Sequence, residues 1–192
     1  MSATGGVRRV DRDVVEQARR GDRDAFAILA RTRSDRLYAV ARRILRDVHR
    51  SDDAVQETLV IAWRELPRLR DPDRFDGWLM RILVRACYAE ARQARAWTAQ
   101  IRVLDIEPSM PDGSISVDDR DQLERGFRRL SPEQRAILVF RYYLGMEPTE
   151  IADTLEIPVG TARSRLHYAR IEMRAALEAD ARPTAAAGGS QA

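Results

Sequence analysis

Lysine and asparagine are missing from the 192 residues, and cysteine occurs once, at Cys87. A lone cysteine has no intramolecular disulfide partner, which fits a reducing compartment. Without lysine, all 33 basic residues are arginine. GC-rich coding produces such a skew, yet arginine still brings a planar fork of donors suited to phosphates and guanine edges. Histidine is confined to His49 and His167, too few for a zinc site without carboxylates. No Gly-rich phosphate loop occurs. Cys87 sits beside Ala86 in a helical pattern and reads as a small core residue, not a nucleophile. These absences argue against an enzyme, a metal site or a bound cofactor.

Long hydrophobic runs are also lacking: none approaches the roughly twenty residues of a membrane span. The start, MSATGGVRRV, has no apolar secretory core. A soluble, cytoplasmic protein is expected. Its formal net charge is only +3, so bulk charge selects no partner.

Period-two alternation is missing, as are Asn-Gly or Asp-Gly hairpin signals between strand-like runs, while apolar residues recur at three and four. The fold class expected is all-α. DRDVVEQARRGD predicts a short first helix closed near Gly21. A second, from Asp24 to about Arg46, turns Phe26, Leu29, Leu37, Val40, Ala41 and Ile44 inward. Ser51 reads as the cap of a helix running to about Leu66, where Pro67 ends it. DPDRFDGW is a turn into a helix from about Trp78 to Ala96. Trp63, Trp78 and Trp97 read as packing groups.

From Val103 to Asp119 the periodicity fails, Pro108, Pro111 and Gly113 appear, and Asp105, Glu107, Asp112, Asp118 and Asp119 stand without a basic residue. That composition predicts a flexible acidic linker. Helical patterning resumes near Asp118 and runs to Leu130. Ser131 to Gln134, SPEQ, is a capping box with proline at the first helical position, starting a helix that ends around Gly145. The organisation expected is therefore two small helical domains, 11–97 and 118–180, joined by a linker at 98–117. Residues 1–10 and 181–192 are expected to be disordered.

EIADTLEIPVGTARSRLHYAR, Glu150 to Arg170, has acids in its first third and arginines in its last. With Pro158 as the first helical residue, Val159, Ala162, Leu166, Ala169 and Met173 form one stripe. Thr161, Ser164, His167 and Tyr168 face the other way, flanked by Arg163, Arg165 and Arg170. A shorter helix precedes, with Ile151, Ala152 and Leu155 inward, and only EIP separates the two, which is helix-turn-helix geometry. A recognition helix in the major groove needs arginines near phosphates and base edges, whereas its supporting helix can carry Glu150, Asp153 and Glu156 away from the duplex. Many such turns hold glycine where Glu156 stands, and a non-Gly residue at positive φ costs about 1 kcal/mol.

A second basic surface lies in WLMRILVRACYAEARQAR. Arg81, Arg85, Tyr88, Arg92 and Arg95 share one helical face, opposite Trp78, Leu79, Ile82 and Ala86. Such a stripe suits a nucleic-acid backbone, with Tyr88 available to stack on an unpaired base. An acidic surface complements it: Asp52, Asp53, Gln56 and Glu57 crowd the start of the helix after Ser51. Asp53 and Glu57 are a like-charge pair at i,i+4, which costs roughly 0.2 to 0.5 kcal/mol, and a basic partner surface would explain the pair.

In this order, the pieces resemble a bacterial RNA polymerase sigma factor of the extracytoplasmic-function (ECF) group, in the sigma-70 family. SDDAVQETLVIAWRELPRLRDPDRFDGWLMRILVRACYAEARQ is similar to sigma region 2, a helical bundle. LSPEQRAILVFRYYLGMEPTEIADTLEIPVGTARSRLHYAR is similar to sigma region 4, a helix-turn-helix. The resemblance implies a subunit without catalytic residues that binds core RNA polymerase, through the clamp helices of its largest subunit and its flap, and directs transcription from chosen promoters. It implies that Asp52, Asp53, Gln56 and Glu57 dock on the polymerase. Arg81, Arg85, Tyr88 and Arg92 would read the minus-ten element, and Thr161, Arg163, Ser164, Arg165, His167 and Arg170 the minus-thirty-five element. Where relatives often carry Asn and Asp in the minus-ten helix, this chain has Arg85 and Ala89. Many members are held inactive by an anti-sigma protein, so a partner of that kind is expected. The competing reading is a stand-alone helix-turn-helix regulator, which would bind operators unaided as a dimer on a two-fold site.

Overall fold

A computed structural model of the chain describes residues 12–103 and 125–181, all of its regular elements helical. The expected disordered ends, apart from Ala181, which closes the last helix, and the acidic linker from residue 104 on lie outside these residues. Among those described, one compact unit takes in the residues up to Trp97 and another the C-terminal helices.

In the first unit, α1 covers 12–19, and Gly21, with φ +94°, turns the chain behind it. Helix α2 spans Arg23–Leu45. Its cap is Asp22, whose carboxylate accepts from the N–H groups of Asp24 and Ala25 at 2.9 and 3.0 Å. That satisfies two donors no helical carbonyl can reach. Leu29, Leu37, Val40, Ala41 and Ile44 are buried as expected, with Ala25, while Phe26 is half-covered.

Helix α3 spans Val48–Glu65, and its start corrects the expectation. Asp47, not Ser51, is the cap, accepting from Arg50 N–H at 2.9 Å. Ser51 lies one turn inside, fully buried, its hydroxyl donating to the Asp47 carbonyl. Thr58 repeats the device, donating to the Ala54 carbonyl at 2.6 Å. Each buried hydroxyl thereby finds an acceptor within its own helix. Two short 3₁₀ turns follow, Leu66–Arg68 and Pro72–Arg74.

Helix α4 spans Phe75–Val103, beginning three residues before Trp78 and passing Ala96. No Gly or Pro stands between Ala96 and Val103 to stop it. Trp97 is a second correction: it is 63% exposed and packs nothing away from water. The core beneath is aliphatic, with Val15, Leu29, Leu37, Val40, Ile44, Leu66, Leu83 and Val84 fully buried. Each such side chain contributes about 1.5–3 kcal/mol on leaving water.

In the second unit, α5 covers 125–129, α6 Pro132–Leu138, α7 Pro148–Leu155 and α8 Val159–Ala181. The capping box forms reciprocally: Gln134 N–H donates to Ser131 Oγ at 3.2 Å, and Ser131 N–H to Gln134 Oε1 at 2.8 Å. The expected single helix changes pitch, passing into a π turn over Val139–Tyr143, before Gly145 at φ +70°. Helices α6 and α8 pack together, and Ala136, Ile137, Phe140, Ile151, Ala152, Ala162 and Ala169 are buried in this unit.

Candidate nucleic-acid interface

The supporting helix α7 is held at its start by acids. Glu150 accepts from Glu147 N–H at 2.7 Å, and Arg141 bridges to the Glu147 carboxylate at 2.6 Å and the Met146 carbonyl at 3.1 Å. At its end Glu156 takes φ +52°, and Ile157 N–H donates to the Ala152 carbonyl at 3.0 Å. Glutamate thus occupies the left-handed position that glycine fills more readily. Pro158 stands just before α8, its carbonyl accepting from Ala162 N–H at 3.1 Å. It is the cap residue, so α8 starts at Val159, one place later than expected.

On α8 the buried line is Ala162, Ala169 and Ala176, with Val159, Leu166 and Met173 half-covered beside it. Small residues every seven let the helix seat closely against α6. Arg163, Ser164, Arg165, His167 and Arg170 are exposed together, as the periodicity requires. Thr161 is half-buried, and its carbonyl accepts from the Ser164 hydroxyl at 3.1 Å. His167 meets Tyr168 edge-on at 5.7 Å. The exposed Ile171, 50% accessible, continues this outer side and was not singled out from sequence.

On α4, Arg85, Arg92 and Arg95 are exposed, but Arg81 and Tyr88 are half-buried. The buried arc is wider than expected because Met80, Leu83, Val84 and Cys87 join Leu79, Ile82 and Ala86. The available surface is therefore an arginine row with its aromatic partly sunk. Burial, reinforced by the Glu90 carboxylate, pushes the Cys87 thiol up to about 12. At neutral pH it is a protonated core group.

On α3, Asp52, Asp53, Gln56 and Glu57 are all exposed, opposite the buried Ser51, Ala54, Val55, Thr58 and Ala62. Val60, 51% exposed, extends that face and was not anticipated. An apolar group one turn beyond Gln56 and Glu57 gives the acidic surface an edge that can be desolvated. Among the described residues no group of three His, Cys, Asp or Glu side chains could hold a metal ion, and no helix is long and apolar enough to cross a membrane.

Residues 29–97 match the family model of Sigma-70 region 2, and residues 120–173 that of Sigma-70, region 4. The ECF RNA polymerase sigma factor SigM of Mycobacterium tuberculosis is 32% identical over 170 residues, covering 88% of this chain and 85% of SigM. The chain belongs to the ECF family of RNA polymerase sigma factors.

This sigma factor is also similar to SigW of Bacillus subtilis, an ECF RNA polymerase sigma factor 25% identical over 173 residues, with 83% of this chain and 92% of SigW covered. Among solved structures, CnrH in complex with the cytosolic domain of CnrY is similar at TM-score 0.62 and 28% identity. The similarity covers 89% of this chain and 99% of CnrH. RpoE of Bartonella quintana, solved with the anti-sigma factor NepR, shares the fold at TM-score 0.58 and 24% identity over 76% of this chain and 92% of RpoE. The region 2 match takes in most of α2, α3 and α4 to Trp97, and the region 4 match takes in α6, α7 and α8 to Met173.

Proposed function

We propose that the chain docks on core RNA polymerase through Asp52, Asp53, Gln56 and Glu57 and reads promoter DNA with two separate helices. Arg81, Arg85, Tyr88 and Arg92 on α4 serve the minus-ten element. Thr161, Arg163, Ser164, Arg165, His167 and Arg170 on α8 serve the minus-thirty-five element. The division into domains at 11–97 and 118–180 goes with this assignment, with α4 running on to Val103 into the tether expected at 98–117.

The observation that carries the reading is the sorting of exposed charge on α8. Arginines, a serine and a histidine occupy one water-facing side of a helix whose other side is alanine-lined and buried. Guanidinium forks can pair bidentately with guanine edges or phosphates, so this face fits duplex DNA. The α4 row suits backbone contacts to an opened strand, with half-sunk Tyr88 beside it. The acidic face of α3, bordered by Val60, fits a basic partner helix.

The chain carries no catalytic group in this mechanism. Polymerase supplies the chemistry, and the sigma factor supplies position. An anti-sigma factor controls it, a reading supported by RpoE, a protein of the same fold that is solved in complex with the anti-sigma factor NepR.

A gel shift with and without core polymerase tests the reading. Free protein should bind promoter fragments weakly, and the assembled holoenzyme should bind specifically and start RNA at a defined position. Tight sequence-specific binding by the free chain would instead support the stand-alone regulator.

A further inference from the structure

The glycines of the C-terminal unit differ in what holds them there. Gly145 sits at φ +70°, where an L side chain is strained. A Cβ on Gly126 would lie 3.1 Å from Met173 Sδ and 3.2 Å from Leu177 Cδ2, so a side chain there would press on α8 and shift those two groups. Gly160 has neither reason. It is the second residue of α8, exposed, outside the left-handed region, and an added Cβ would meet no atom within 4 Å. Alanine at such a position would stabilise the chain by narrowing its unfolded ensemble.

Its place on the helix supplies what the fold does not. Gly160, Ser164, His167 and Ile171 follow one another at alternating steps of four and three, which is a single line along a helix. All four are exposed, and the line runs diametrically opposite Ala162, Ala169 and Ala176. The side chains lengthen from hydrogen to hydroxymethyl to imidazolylmethyl over the first three, and sec-butyl keeps the line bulky at Ile171. A helix tapered in that way enters a groove with its first turn deepest, the end from which recognition helices contact base edges.

We infer that Gly160 is the point of closest approach between α8 and promoter DNA. The missing side chain sets the depth and tilt at which Arg163 and Ser164 meet the bases. This rests on the reading of α8 as the minus-thirty-five helix. Gly160 makes no base contact of its own and acts as a positioning residue.

The test uses the full chain assembled with core polymerase. The probe is the duplex promoter that wild-type holoenzyme selects, by run-off transcription, from a library randomised upstream of the start site. Gly160→Ala should leave the unfolding midpoint of the free protein unchanged or raised while weakening promoter binding. Gly160→Leu should weaken it by roughly tenfold or more, the scale of forcing a side chain into a filled interface. A repeat selection with the Leu variant should shift preference on the minus-thirty-five side alone.

If Gly160→Leu binds within about twofold of wild type while Arg163→Ala binds weakly, the inference fails and α8 keeps its role. If both variants bind like wild type, the reading of α8 fails with it. A lowered unfolding midpoint for Gly160→Ala would assign the glycine to the fold, and that also overturns the inference.

Discussion

The rings of Phe26 and Trp63 meet with centroids 5.0 Å apart and planes inclined at 56°, joining the first turn of α2 to the last turns of α3. Both side chains are half-covered, so they close the edge of the core and do not fill its middle. Tilted aromatic pairs contribute about 0.5–1.5 kcal/mol beyond area burial. Phe26→Leu and Trp63→Leu should each destabilise the first domain, and their double-mutant cycle in urea should return a coupling of that size. Strictly additive losses would show that the rings share an edge without interacting.

Glu57 sets stability against docking. It shares the exposed face of α3 with Asp53 one turn earlier, and like charges at that spacing repel. Glu57→Gln should therefore stabilise the isolated protein by roughly 0.2–0.5 kcal/mol while reducing its recovery on core polymerase in a pull-down. Glu57→Arg should abolish most of that recovery. A more stable variant that is a poorer partner separates the two roles; undiminished recovery with Glu57→Arg would remove the acidic face from the polymerase interface.

Arg163 and Ser164 are neighbours on the exposed side of α8, yet they need not do the same work. A side chain that reads a base loses about 1–3 kcal/mol at one promoter position when replaced by alanine, and choice relaxes there. A phosphate contact weakens all promoters alike and lowers the salt dependence of binding by about one charge. Run-off transcription on single-position promoter variants, at two salt concentrations, assigns each residue. Arg163→Ala and Ser164→Ala are both expected in the first class.

How far this architecture was legible depends on whether the signal was local. The start of α6 was readable to the residue, because SPEQ carries both halves of its cap within four positions. The inward line of α8 was readable too, since Ala162 and Ala169 repeat at the helical period. The start of α3 was not: Ser51 and Asp47 are both good caps, and only packing decided that the serine would be buried. The π turn at Val139–Tyr143 left no trace in the sequence, since a fifth-residue hydrogen bond has no composition of its own. Trp97 was misread as a packing group because tryptophan is usually covered, and its exposure depends on where α4 outruns its neighbours. The width of the buried arc on α4, which half-covers Arg81 and Tyr88, is likewise a property of the helices around it. Periodicity gives the direction of a face but not how much of it neighbours conceal.

Cys87 links the core to a pH dependence of known sign. Burial first, and the Glu90 carboxylate second, raise the thiol from 9.0 to about 12, against a smaller lowering by a backbone hydrogen bond. Below 9.0 folded and unfolded chains both hold the proton, and the stability this provides is fully present. Between 9.0 and about 12 only the folded chain holds it, so stability falls by about 1.4 kcal/mol per pH unit until the folded thiol also ionises. Urea unfolding at about pH 8 and about pH 10 should therefore show wild type losing about 1.4 kcal/mol more than Cys87→Ala. The alanine variant starts lower because of its cavity, but that penalty does not depend on pH. Native protein should also resist alkylation by iodoacetamide at the lower pH and react once urea unfolds it. Parallel losses in the two proteins, or prompt alkylation of the native chain, would mean that water reaches the sulfur and that α4 does not seal the core at this turn.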